Sequence, residues 1–243
     1  METQELNVVD HLSELRKRLF IILGSFMVLF IIAFIYVKEI YDWILRDSTI
    51  KLAVLGPSDI IWVYLILAGV VAIAGVIPIA AHQIWLFVKP ALSISERKVT
   101  LAYIPALFLL FISGISFGYF IIFPIVFDFL LTLSADLFMS FFTAEKYFRF
   151  MMNIVLPFGF LFELPVIIMF LTSIGVLNPY RLQKMRRYSY FALIVTAVLI
   201  TPPDFVSDVL VVIPLLFLYE CSVFLSKIVY RRKQVGQEST VPS

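Results

Sequence analysis

The chain has 243 residues, of which 62% are hydrophobic and 15% charged, and its mean hydropathy is +1.01. Soluble chains carry about 45–50% apolar and about 25% charged residues, so a water-soluble globule could not hide this much apolar surface, and 25 Phe with 11 Tyr exclude disorder. A net charge of +2 carries no signature of nucleic-acid binding, and one cysteine (Cys221) with two histidines (His11, His82) gives no basis for a disulfide framework, a metal site or any cofactor.

Residues 1–18 are polar and close on Arg16-Lys17-Arg18. Six apolar blocks follow, at 19–37, 60–88, 101–127, 151–177, 190–201 and 209–226. A helix crossing the hydrocarbon core needs about 20 residues, which the first four blocks supply. Block five has 12 residues, only about 18 Å of helix. Pro202-Pro203 stops it, because neither proline can donate a backbone hydrogen bond. Blocks five and six therefore predict a short helical hairpin. The expected fold is an all-α polytopic membrane protein with six transmembrane helices, the last two short. Prolines 78, 105, 124, 157, 165 and 214 kink the spans into a concave bundle. The expected divisions are an N-terminal segment at 1–18, the spans at 19–226 and a basic tail at 227–243. Eighteen polar residues before a long first block predict no cleaved leader.

Lys and Arg set the orientation. The segments on the N-terminal side of the spans (1–18, 89–100, 178–189 and 227–243) hold 14. The opposite segments (38–59, 128–150 and 202–208) hold 5. This asymmetry places both termini in the cytoplasm. Residues 128–150 carry seven Phe or Tyr among charges and predict amphipathic interfacial structure capping the bundle.

Acids inside and beside the apolar blocks are the candidate functional residues. Glu163 sits mid-block between Phe162 and Leu164, followed by Pro165; Glu220 is the twelfth residue of block six. A carboxyl inside a membrane must be protonated, paired or facing water, so each is a polar contact in a cavity or an interhelical hydrogen bond. Glu14 and Glu96 lie among bases on the N-terminal side. Carboxylates accept guanidinium groups bidentately, which makes them candidate readers of arginines in a partner. The plainer alternatives are local pairing of Glu14 with Arg18 at i,i+4 and of Glu96 with Arg97 or Lys98. No ATPase loop, metalloprotease motif or Ser/His/Asp arrangement is present, and no enzyme activity is expected.

Taken together, the motifs resemble the TatC family, the multispanning receptor subunits of the twin-arginine protein translocase. The matching stretches are His11-Leu12-Ser13-Glu14-Leu15-Arg16-Lys17-Arg18, Trp85-Leu86-Phe87-Val88-Lys89-Pro90-Ala91-Leu92 with Glu96-Arg97, Phe123-Pro124, Phe158-Gly159-Phe160-Leu161-Phe162-Glu163-Leu164-Pro165, Thr201-Pro202-Pro203-Asp204 and Phe217-Leu218-Tyr219-Glu220. Two positions depart from the family pattern: Arg187 stands where a proline is common, and the first external loop keeps only Gly56-Pro57-Ser58-Asp59. The resemblance implies a cytoplasmic-membrane protein that binds the twin-arginine signal peptides of folded cargo and is driven by the proton-motive force. By motif position Glu14 and Glu96 would receive the two arginines, with Phe87, Arg16 and Arg18 nearby. Glu163 would be the polar residue of a glove-like cavity, and Asp204 belongs to an external loop. Single-span TatA- and TatB-like subunits, further copies of the chain and the lipid bilayer are the implied partners. The alternative reading is a proton-coupled small-solute permease using Glu163. The clustering of polar residues at the cytoplasmic face, rather than at mid-membrane, argues against it.

Overall fold

A computed structural model describes residues 2–46, 52–92, 97, 100–135, 142–201 and 205–238. The described residues form α1 (Glu2–Ile35), α2 (Val37–Leu45), α3 (Pro57–Val88), a 3-10 turn (Lys89–Ala91), α4 (Tyr103–Phe117), a π turn (Gly118–Ile122), α5 (Phe123–Ala135), α6 (Ala144–Phe162), α7 (Leu164–Ser173), α8 (Pro179–Lys184), α9 (Arg186–Ile200) and α10 (Phe205–Glu238). Five stretches among them are long and apolar enough to cross a membrane: Leu12–Ile35, Pro57–Val88, Tyr103–Leu133, Ala144–Ser173 and Phe205–Arg231. The sixth apolar helix, α9, has 15 residues, about 22 Å, and is short as expected.

The sequence expectation fails in one place. The last helix is not short: α10 runs 34 residues, because residues 227–235 contain no Gly or Pro to stop a helix that the apolar stretch has nucleated. The cap expected at residues 128–150 lies partly outside the described residues, at 136–141. Residues 128–135 continue α5, and α6 begins at Ala144.

Contacts divide the chain into two compact units, Met1–Phe108 with Phe142–Phe148, and Leu109–Phe141 with Arg149–Ser243. In the first unit α1 packs along α3. Gly75 lets α3 approach Leu29, whose Cδ1 lies 3.1 Å from where a Cβ would stand. Phe34 meets Tyr64 edge-on with ring centres 6.3 Å apart. Val63, Leu67, Ala68 and Ala72 of α3 are buried. The entry to α3 obeys capping rules: Pro57 opens the helix, and Asp59 in its first turn accepts the Leu55 N–H at 2.9 Å. The chain ahead of α3 pairs with the chain ahead of α6: Ala53 N–H donates to Phe142 O at 3.0 Å, and Ala144 N–H to Ala53 O at 2.8 Å. Tyr41 of α2 packs on Phe148 at 5.4 Å.

In the second unit α10 presents one face at four-residue spacing, with Ser207, Val211, Leu215, Tyr219 and Val223 all buried. This is the row that interdigitates with a neighbouring helix. It packs on α7, α8 and α9, and Thr172 and Ser226 share a buried hydroxyl hydrogen bond of 2.7 Å. Gly114 and Gly118 let α4 and the π turn approach α6. A Cβ on Gly114 would stand 2.5 Å from Phe158 O, and one on Gly118 3.0 Å from Val155 Cα. The π turn has a local cause. Pro124 cannot donate to Phe120, and its ring presses on that carbonyl. The Phe123 N–H instead reaches back five residues to Gly118 O. α7 ends in a Schellman motif, with Gly175 at φ 82° and the Val176 N–H bonded to Leu171 O. Asn178 then caps α8 through the Tyr180 N–H.

Candidate functional site

At the N-terminal-side end of α1, Glu14 and Arg18 face the same way, one turn apart. The Arg18 guanidinium pairs with the Glu14 carboxylate, and its other terminal nitrogen donates to Gln83 Oε1 on α3 at 3.4 Å. The Arg18 side chain is 17% exposed and that of Glu14 38%. Phe87 is half-buried and lies one turn beyond Gln83, on the same face of α3. The structure thus joins Glu14 and Arg18 to Gln83, with Phe87 one helical turn along α3 from Gln83. Arg16 is exposed and, two residues from Glu14, sits on another side of α1.

The loop after α3 is tied back to it. Trp85 Nε1 donates to Thr100 Oγ1 at 2.9 Å, and both residues are buried. Arg97 Nε donates to Leu92 O at 3.2 Å. Lys89 Nζ lies 5.2 Å from the centre of the Trp85 ring, and the His82 ring stacks on the same indole with ring centres 5.9 Å apart. These bonds hold the residues on either side of 93–96. Glu96 itself, like Asp204, lies outside the described residues.

Glu163 stands between α6 and α7. Pro165 cannot bond to Leu161, so the Glu163 N–H turns to Phe160 O at 3.1 Å, while Glu163 O receives Val166 and Ile167 N–H groups. The helix breaks at the carboxyl, as Pro165 leads one to expect, whereas α6 continues through Pro157. Glu163 Oε1 is buried with no hydrogen-bond partner among the described residues. Glu220 is different. It accepts from Arg186 Nη2 at 2.6 Å and from the Tyr190 hydroxyl. Next to it the Tyr219 hydroxyl donates to Leu182 O at 2.9 Å. Glu220 is therefore an ion-paired clasp between α10 and the start of α9 rather than a lone intramembrane acid.

The model of the TatC family, described as Sec-independent protein translocase protein (TatC), matches residues 10–214. The chain belongs to this family. It is similar to the Sec-independent protein translocase protein TatCd of Bacillus subtilis (strain 168), with 59% identity over 233 residues, 96% of each chain. TatCy of the same organism is 42% identical over 238 residues, 96% of this chain and 94% of the relative. A crystal structure of the twin-arginine translocase receptor TatC in DDM superposes with a TM-score of 0.79 at 32% identity, covering 89% of this chain and 99% of that one.

Membership in the TatC family makes the chain a membrane-embedded component of a protein translocase and a transport protein rather than an enzyme. It also decides against the solute-permease alternative. Sequence reasoning missed Gln83, Trp85 and Thr100. The only signal for Gln83 was an uncharged polar residue inside an apolar block, one turn before Phe87. For Trp85 and Thr100 there was no local signal, since the bond joins residues 15 apart across a turn.

Proposed function

We propose that this TatC-family chain is the receptor for twin-arginine signal peptides and the core subunit of a translocase that exports folded proteins across the cytoplasmic membrane, driven by the proton-motive force. Both termini face the cytoplasm, which the 14-to-5 distribution of Lys and Arg supports. The observation that carries the reading is the half-exposed Glu14 carboxylate already holding a guanidinium against α3. A site that accommodates one planar, five-donor cation next to an apolar surface has the chemistry needed for an incoming arginine. Glu96, in the loop anchored by Trp85 and Arg97, supplies the second carboxylate. Phe87 offers an aromatic face one turn beyond Gln83, toward the cytoplasmic end of α3. Lysine, a point charge without the guanidinium fork, is a poorer ligand for the same carboxylates.

Single-span TatA- and TatB-like subunits and further copies of the chain complete the complex. The apolar outer faces of the spans suit such helices. Glu163, half-buried at the helix break with a buried and unpartnered Oε1 among the described residues, offers a hydrogen bond to a cargo segment or partner helix entering the membrane. The test is crosslinking. A photoreactive peptide with paired arginines ahead of an apolar stretch should label residues 12–18 and 89–98, and a paired-lysine peptide should compete poorly. Labelling confined to other segments would contradict the reading.

A further inference from the structure

The Glu14 carboxylate is paired with the chain's own Arg18. Resting on the proposed receptor function, we propose that Arg18 is an internal stand-in for the signal-peptide arginine. Peptide binding is then an exchange of guanidinium groups on Glu14, and Gln83 is the positioning residue that receives Arg18 when it is displaced.

Three features carry this. First, Arg18 is held at both ends of its fork, by Glu14 on its own helix and by Gln83 Oε1 on α3. The Gln83 contact, at 3.4 Å, is long for a hydrogen bond. It can shorten once the guanidinium leaves Glu14. Second, Arg18 Nε is buried with no hydrogen-bond partner among the described residues. A buried donor left unsatisfied is costly, so the resting arrangement is one that a better alternative can replace. Third, the two partners differ in exposure. Glu14 is more than twice as exposed as Arg18, so a ligand reaches the carboxylate from solvent while Arg18 lies behind it against α3.

The exchange also avoids an electrostatic obstacle. A vacant carboxylate beside apolar helices is costly to desolvate, and Arg18 keeps it compensated until a peptide arrives. A peptide arginine takes over that compensation, and Arg18 keeps an acceptor on Gln83. The device sharpens selectivity as well. A ligand must outcompete a guanidinium already in place, which a lysine ammonium, making no bidentate pair, does less well.

The test measures binding of a twin-arginine peptide to the detergent-solubilised full chain. Arg18→Gln should tighten binding about tenfold relative to Lys17→Gln, which makes the same charge change at an exposed neighbour, because the internal competitor for a charge-assisted pair is gone. Gln83→Leu, neutral for neutral, should weaken binding about tenfold, because Arg18 then has nowhere to go but Glu14. In the Arg18→Gln background Gln83→Leu should have no effect. The exchange is overturned if Arg18→Gln weakens binding, or if Gln83→Leu costs the same in both backgrounds. Glu14→Gln separates this inference from the receptor reading beneath it. Binding lost in Glu14→Gln but indifferent to Arg18 and Gln83 rejects the exchange alone. Binding unchanged in Glu14→Gln rejects both.

Discussion

Glu163 and Glu220 look alike in the sequence, each an acid in an apolar block, and the structure gives them opposite situations. Glu220 is paired by Arg186, 34 residues away, and by Tyr190. Glu163 keeps a buried oxygen without a partner. Sequence could not separate them, because ion pairing across helices depends on how α9 docks on α10 and not on local spacing. What it could read was the break. Pro165 two residues after Glu163 predicts a lost bond to Leu161, and the helix does divide there. If Glu163 serves as a hydrogen-bonding group, Glu163→Gln should keep most transport of a folded twin-arginine cargo, since the amide retains an acceptor and adds donors. Glu163→Ala should lose a contact worth roughly 1–3 kcal/mol and transport with it. Equal and complete loss in both variants, at matched expression, would point to an obligatory titration instead.

The helices were legible where a single physical signal dominated. Long apolar runs marked four of the five long spans, and block five declared its shortness by its length. Elements set by non-local contact were not legible. α2 is a nine-residue helix seated by Tyr41 on Phe148, and the backbone pairing of Ala53 with residues 142–144 has no period to reveal it. The close approach of α4 to α6 belongs to the same class. Gly114 and Gly118 stand four apart, a spacing that allows helices to touch, yet only the structure shows Gly159 opposite them, with Phe111 Cε2 2.7 Å from the place of its missing Cβ. Gly114→Val would drive a side chain into Phe158 O and Phe162 Cβ. It should lower the stability of the solubilised protein by about 1–3 kcal/mol, read as a drop in Tm. Gly24→Ala is the matched control, because nothing lies within 4 Å of its added methyl. A Tm equally unaffected by both changes would show that the helices separate at no cost.

For the whole molecule, the charge asymmetry is the feature of the sequence that predicts orientation without any knowledge of packing. A reporter fused after residue 233 should be cytoplasmic, and one inserted between residues 46 and 52 external; an external tail would overturn the span count. The recognition site was only half legible. Glu14 was visible, and so was its i,i+4 alternative with Arg18, and it is this pairing that the structure shows. The carboxylate holds Arg18 and, in the proposed mechanism, gives it up to a peptide. Gln83, which joins that pair to α3, needed the structure. The most direct test of the receptor account is the affinity of a twin-arginine peptide for the full chain and for a variant carrying both Glu14→Ala and Glu96→Ala, each inserted normally in the membrane. Each lost charge-assisted contact should cost roughly 1.5–3 kcal/mol, so the double variant should bind at least a hundredfold more weakly and no longer prefer paired arginines to paired lysines, whereas unchanged affinity and preference would contradict the account.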